Sequence, residues 1–424
     1  MPHKKMPATL RFMLAARRSE LLGLEDLAQT CALVTRVSQL VHALQKERGY
    51  SNLYLSSSAA HQGAQLDSLI QASTALERQF RDALEQMNQD GLGAADKTRL
   101  FTRIAHALHH LDELPGLRRR IRERRINAQD ATAALVRLIS GLLAVVFEAA
   151  DSAVDPDITR CLVALFNFMQ GKELAGQERA LGVNGLTHGY FEPEQLERLI
   201  HLQECQERSF NTFNRFADPT TQALWQALCS STSNLQACRL RDIARSTHAG
   251  STVDPQLGEL WFELHTQRID LMQAIESHLE EDLLQRCQRG MQGIRDELHS
   301  HRRVLENLSE RQAAEQLRLF SVQSSNLDST PEDGLSGNLA RSTLDLLQHQ
   351  SQRLQVLQDE LRDARQAIEE RKVVERAKQL LIKQHGYSES EAYALLRQSA
   401  MNQGLRIEDI AQRLLSSSAA LAGR

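Results

Sequence analysis

Two arginines stand where a helical sequence ordinarily places apolar side chains. Leu33, Val37, Leu40 and Leu44 recur at intervals of four, three and four residues, so they form one stripe of an α-helix. At about 100° per residue, Arg48 continues that stripe instead of the solvent face. A buried guanidinium needs a partner, because an unpaired buried charge is very costly. Gly49 follows at once and lets backbone or ligand approach closely. The segment MQGKELAGQERALG, Met169 to Gly182, repeats the arrangement: Glu178, Arg179 and Ala180 parallel Glu47, Arg48 and Gly49, with Ala175 and Gly176 as small neighbours. Arg179 falls on the edge of its apolar stripe. Two such arginines suit one small planar anion held by bidentate hydrogen bonds. The same pattern also accommodates ion pairs with an internal carboxylate, Glu47, Glu173 or Glu178.

A second chemical feature lies near the C-terminus. Residues 371–383 carry Arg371, Lys372, Arg376, Lys378 and Lys383 against Glu375 alone. Lys372, Arg376, Gln379 and Lys383 share one helix face, beside an apolar face of Val373, Val374, Ala377, Leu380 and Leu381. A basic stripe beside a core face is a phosphate-contact surface or a solubilising one. No Gly-rich phosphate loop, nucleophile elbow or HExxH segment occurs, so no enzyme chemistry is indicated. The six cysteines form no CxxC pair and no His/Cys cluster has metal-ligand spacing. They read as thiols of a reducing compartment.

The elements that must position these residues are helices. Aromatics make up 4% of the chain and Pro numbers only 8, while Leu, Ala, Gln, Glu and Arg dominate, which disfavours sheets. Apolar periodicity of 3.6 runs almost throughout, with breaks expected at Asp90-Gly91, Leu114-Pro115, Asp155-Pro156, Gly185 to Gly189 and Asp218-Pro219. The fold expected is all-α: a helical-bundle domain over 1–320, a linker over 321–340, a coiled-coil helix over 341–370 and a small three-helix module over 368–418. The linker follows from the Ser-, Pro- and Gly-containing stretch VQSSNLDSTPEDGLSGN. Leu347, Leu354, Leu361 and Ile368 repeat every seven residues, which suits a dimeric coiled coil or an amphipathic helix packed on its own domain. Ser388 and Glu391 form a capping box. The net charge of −4 confines any nucleic-acid surface to a local patch. The most apolar stretch, Leu138 to Val146, is too short to span a bilayer and no signal peptide is read, so a cytoplasmic protein with no membrane partner is expected.

The two arginine segments resemble the signature segments of the nitrate- and nitrite-sensing (NIT) domain. The resemblance is carried by Gln45, Lys46, Glu47, Arg48, Gly49 and Ser51, and by Lys172, Glu173, Ala175, Gly176, Glu178, Arg179 and Ala180. It spans roughly residues 38–280 and implies an all-helical domain whose arginines bind nitrate or nitrite, here Arg48 and Arg179. WFELHTQRIDL, Trp261 to Leu271, resembles the end of that domain more weakly, and Arg268 is not assigned a role on that basis.

The C-terminal segment is similar to the ANTAR domain through Arg371, Val374, Ala377, Lys378 and Leu381, then Gly386, Ser388, Glu391, Ala392, Tyr393, Leu396 and Arg397, and finally Ala400, Met401, Ile410 and Ala411. That implies a module recognising RNA with paired stem-loops, preceded by a dimerising helix. RNA contacts are expected at Lys372, Arg376, Lys378, Lys383, Arg397 and Met401. A sensor followed by such a module resembles the nitrate-responsive antiterminators. The expected effector is nitrate or nitrite, with no cofactor or metal, and the expected partners are leader mRNA and a second copy in the active state. The competing reading is a helical signalling adaptor that senses a small anion and acts through protein–protein contacts.

Overall fold

In a computed structural model, the structure describes residues 8–56, 61–87, 97–247, 254, 256–322 and 361–422. Among these residues there are twelve helices and no strand. They are α1 (Ala8–Ser56), α2 (His61–Glu85), α3 (Thr98–Arg122), α4 (Ala128–Ser152), α5 (Pro156–His188) and α6 (Pro193–Phe216). Then follow α7 (Pro219–Ser230), α8 (Thr232–Arg245), α9 (Leu257–Val322), α10 (361–385), α11 (Glu389–Gln403) and α12 (Ile407–Ala422).

Local chemistry sets most of the boundaries. Asp155 caps α5 by accepting the Ile158 N–H at 3.0 Å, and Pro156 follows at the first helical position. Asp218 and Pro219 start α7 in the same way. Ser388 and Glu391 complete the capping box expected for α11, which Gly404 ends at a φ of 62°. One expected break is absent. Pro115 lies inside α3, where buried Leu111, Leu114, Leu117 and Arg118 hold one face on both sides of it. Tertiary packing there outweighs the lost backbone hydrogen bond. The break expected over Gly185 to Gly189 falls at its last residue: Gly185 is still helical, with the Phe191 ring where a side chain would stand, and α5 ends at Gly189, with φ at 80°.

The described residues form two compact units. One consists of residues 8–31 and 284–322, held by Arg17 to Glu297 at 2.9 Å and Arg295 to Glu25 at 2.9 Å. The other, residues 32–283 and 361–422, holds both arginine segments and the C-terminal module. In it α3 packs on α4, α4 on α5 and α5 along α6. Leu33, Val37, Leu40 and Leu44 are buried as the stripe requires. Among the described residues α4 alone is long and apolar enough to cross a membrane, and over half of that stretch is buried in the bundle. Helices α10 to α12 share a core of Val374, Ala377, Leu381, Ala392, Leu396, Ala400, Ile410 and Ala411. Most of the expected linker and the heptad positions Leu347 and Leu354 lie outside the described residues. Leu361, Ala364 and Ile368 are buried within this unit.

Candidate anion site and RNA-binding surface

Helices α1 and α5 meet through two glycines. Each glycine makes room for the other helix's arginine: a Cβ on Gly176 would stand 2.7 Å from Arg48 Nη2, and one on Gly49 would stand 2.9 Å from Arg179 Nη2. The two guanidiniums are close enough to repel. Burial, and next the charge of Arg48, lower the pKa of Arg179 to about 10.

The nearby carboxylates divide unequally between the arginines. Arg48 is ion-paired with Glu173, which also accepts from Gln45 and from Gln177, each at 2.9 Å. Glu47 is taken by Arg118, at 2.8 and 2.9 Å, and by Ser73. Glu178 is taken by Arg241, Gln203 and Gln206. Burial pushes the Glu178 carboxyl up, but the Arg241 charge and its hydrogen bonds outweigh this and hold it far below the usual carboxylate range. Arg179 is left with the Thr266 hydroxyl at 2.9 Å and the face of Phe262 at 5.1 Å. Among the described residues it has no carboxylate within ion-pair reach. Ser51, one turn beyond Arg48, is buried with its hydroxyl unpartnered. Two guanidiniums share one ion-paired carboxylate and a free hydroxyl, while Asp270 acts on Arg179 only from beyond ion-pair reach, which fits a monoanion that accepts several hydrogen bonds.

The other motif residues build a buried polar layer around it. Lys172 pairs with Glu276 and donates to Gln273 at 2.6 Å, and Ser38 donates to Glu276 at 2.6 Å. Burial, then the charge of Lys172, lower the pKa of His42 beside this group to about 3, so it is neutral. The segment Trp261 to Leu271, given no role from the sequence, carries a further cluster on α9. Trp261, His265 and Arg268 are spaced i, i+4, i+7, which is one helix face, and all three are buried. Arg268 donates to Gln206 at 3.2 Å, while its Nε has no partner. His265 stacks on Trp261 at 4.1 Å with both ring nitrogens unpartnered, and burial lowers its pKa to about 3. The spacing was the available signal for this cluster.

The expected RNA-contacting residues divide into two groups. Lys372 is buried and donates to Asp151 of α4 at 2.6 Å and to Glu369 at 2.8 Å. Lys378 is buried between Glu375 at 2.9 Å and Glu389 at 2.8 Å. Arg397 pairs with Glu204 of α6 at 2.6 Å. Arg376, Lys383 and Met401 are exposed. Around these ion pairs, Arg371 lies over the Phe166 ring at 4.7 Å, and Arg208 lies over Tyr393 at 4.0 Å. His201 meets the same tyrosine ring at 5.1 Å. The C-terminal helices thus dock on α4, α5 and α6 around a cavity of about 570 Å³.

This arrangement, an internal cationic site in a helical bundle with a small basic three-helix module docked on it, defines a sensor–effector regulator. The family model for nitrate and nitrite sensing (NIT) matches residues 39–284, and that for the ANTAR domain matches residues 362–415. A curated relative, the nitrate regulatory protein of Klebsiella oxytoca, is 33% identical over 410 residues, covering 97% of this chain and 95% of the relative. The solved structure of the NasR transcription antiterminator is similar at a TM-score of 0.59 and 31% identity, covering 98% of this chain and 100% of that one. The chain belongs to the NasR-like family of nitrate-responsive transcription antitermination regulators, and its architecture is that of a regulator, not an enzyme.

Proposed function

We propose that nitrate or nitrite binds between α1 and α5, held by Arg48 and Arg179, and that binding frees the ANTAR module to hold leader mRNA. The carrying observation is Arg179: a half-buried guanidinium beside Arg48, with no carboxylate within ion-pair reach among the described residues. An anion there supplies the missing charge. Binding then favours whichever bundle geometry grips the anion best, and only that differential affinity can move the module.

The route to the module runs through neighbouring side chains. Glu178, adjacent to Arg179, accepts from Gln203 and Gln206 of α6 at 2.8 Å each. The same stretch of α6 carries His201, Glu204 and Arg208, which meet Tyr393 and Arg397. A small shift of α5 against α6 would therefore loosen the docked module. Release frees Lys372 and Arg397 from Asp151 and Glu204, and joins them with Arg376, Lys378 and Lys383 as phosphate contacts. Met401 and Arg397 then lie nearest the loop bases of paired stem-loops. Leu361 and Ile368 lose their cover and continue the heptads of Leu347 and Leu354, so the active form is a homodimer. The RNA so held competes with a terminator hairpin in the cytoplasm, where transcripts form. The test is a gel shift with leader RNA carrying two hairpins, with and without nitrate. Tighter binding with nitrate is expected, and equal binding in both conditions would overturn the reading.

A further inference from the structure

Apart from Arg118, which takes Glu47, the chain's densest run of arginines has no part in the sites described so far: six of the eight residues 118–125 are arginine. They close α3 and enter the turn before α4. Some serve the bundle. Arg118 is bound by Glu47, Arg122 pairs with Asp67 and donates to the Gly63 carbonyl at 3.0 Å, and Arg124 lies over Tyr54 at 4.6 Å. Arg119, Arg120 and Arg125 are exposed and line a groove of about 700 Å³ between α3 and α4, joined from α4 by Arg137.

The acids of this groove are engaged elsewhere or outnumbered. Glu123 pairs with Arg125 at 3.2 Å, and Glu113 lies beside His109 and His110 at 3.9 and 3.8 Å. Among the described residues no carboxylate reaches Arg119, Arg120 or Arg137. The groove is thus positive on a chain of net charge −4. Like charges gathered in one concavity repel, and a polyanion relieves that repulsion. Guanidiniums match phosphate geometry. No Phe, Tyr or Trp lines the groove, so it has no platform on which bases could stack. That combination reads backbone and not sequence.

Its position adds a reason. Helix α4 presents Val136 and Ser140 to the cavity under the docked ANTAR module, and Ala134, Arg137 and Leu138 to the basic groove. While the module is docked, Lys372 and Arg397 are occupied by Asp151 and Glu204, but Arg119, Arg120 and Arg137 have no carboxylate partner among the described residues. We propose that the α3–α4 groove is a second RNA-contacting surface, independent of sequence, that holds the sugar–phosphate backbone of the transcript while the ANTAR module is docked. The choice of RNA as the polyanion rests on the antitermination reading.

The test uses the full chain and titrates leader RNA and an unrelated hairpin of equal length against salt, with and without nitrate. Without nitrate the wild type should bind both RNAs alike. The Arg119→Gln/Arg120→Gln/Arg137→Gln variant should reduce the slope of log affinity against log salt by about two, and weaken low-salt binding by roughly tenfold or more. Its nitrate-induced thermal stabilisation should be unchanged; should the triple variant fold poorly, Arg137→Glu alone must show the same direction. Identical nitrate-independent binding by wild type and variant overturns the proposal, and nitrate-stimulated leader binding in the same titration would leave the antitermination reading standing. Groove-dependent binding without any nitrate stimulation of leader affinity supports the groove and overturns that reading. Groove-dependent binding of polyglutamate but of neither RNA overturns the proposal and assigns the groove to an acidic protein.

Discussion

Gly49 of α1 supports the guanidinium of Arg179 of α5 so closely that a methyl group at Gly49 would stand 2.9 Å from Nη2. The obstructed atom is the far end of a flexible side chain, so Gly49→Ala should fold while turning Arg179 out of place. A charge-assisted hydrogen bond contributes about 1.5–3 kcal/mol, so nitrate affinity should fall roughly tenfold to a hundredfold. The measurement is melting temperature against nitrate concentration; an unchanged titration would place the anion elsewhere.

Arg48 and Arg179 should differ in what their loss does to stability. Arg48→Ala strands Glu173, which is 1% exposed, and should cost about 3–5 kcal/mol in urea unfolding. Arg48→Met combined with Glu173→Gln should recover most of that. Arg179→Gln leaves no acid unpaired and relieves repulsion with Arg48, so stability should change by no more than about 1 kcal/mol while the nitrate response is lost.

Glu280 should make stability depend on pH. Burial raises its pKa to about 7; Glu276 beside it raises it too, against Lys172 from α5 and Ser38 and Gln39 from α1, which lower it. A carboxyl whose folded pKa exceeds its unfolded value binds its proton more tightly when folded. Its contribution is complete below about pH 4 and is lost as pH rises through 7. Glu280→Gln should therefore gain stability relative to wild type between pH 5 and 8, by about 2 kcal/mol. A constant difference across that range would refute the assignment.

Asp151 and Glu204 hold Lys372 and Arg397 against the sensor. Asp151→Asn with Glu204→Gln should shift the docked module towards release and raise leader-RNA affinity without nitrate by roughly tenfold. Nitrate should then add less. Unchanged affinity without nitrate would show that these ion pairs do not govern access to RNA.

Much of this was legible in residue order, because it depends on neighbours within a turn or two. The burial of Arg48 follows from its place on the stripe of Leu33, Val37, Leu40 and Leu44, and the cap at Ser388 from Glu391 three residues on. The Trp261, His265 and Arg268 face was equally present in the spacing, though spacing alone did not mark it as a polar cluster. Other features needed the tertiary structure. Pro115 reads as a break, but the buried leucines around it keep α3 continuous. Which acid serves which arginine depends on pairs far apart in the chain: Glu47 goes to Arg118, 71 residues away, and Glu173 to Arg48, 125 away. Those choices leave Arg179 without an acid among the described residues. Lys372 and Arg397 likewise read as free cations in sequence and meet their carboxylates only when α10 and α11 lie on α4 and α6. Helical periodicity determines which side chains face inwards, because it repeats every 3.6 residues. Which inward charges find one another is decided by how the helices pack, since a Coulomb interaction acts across space and takes no account of chain separation.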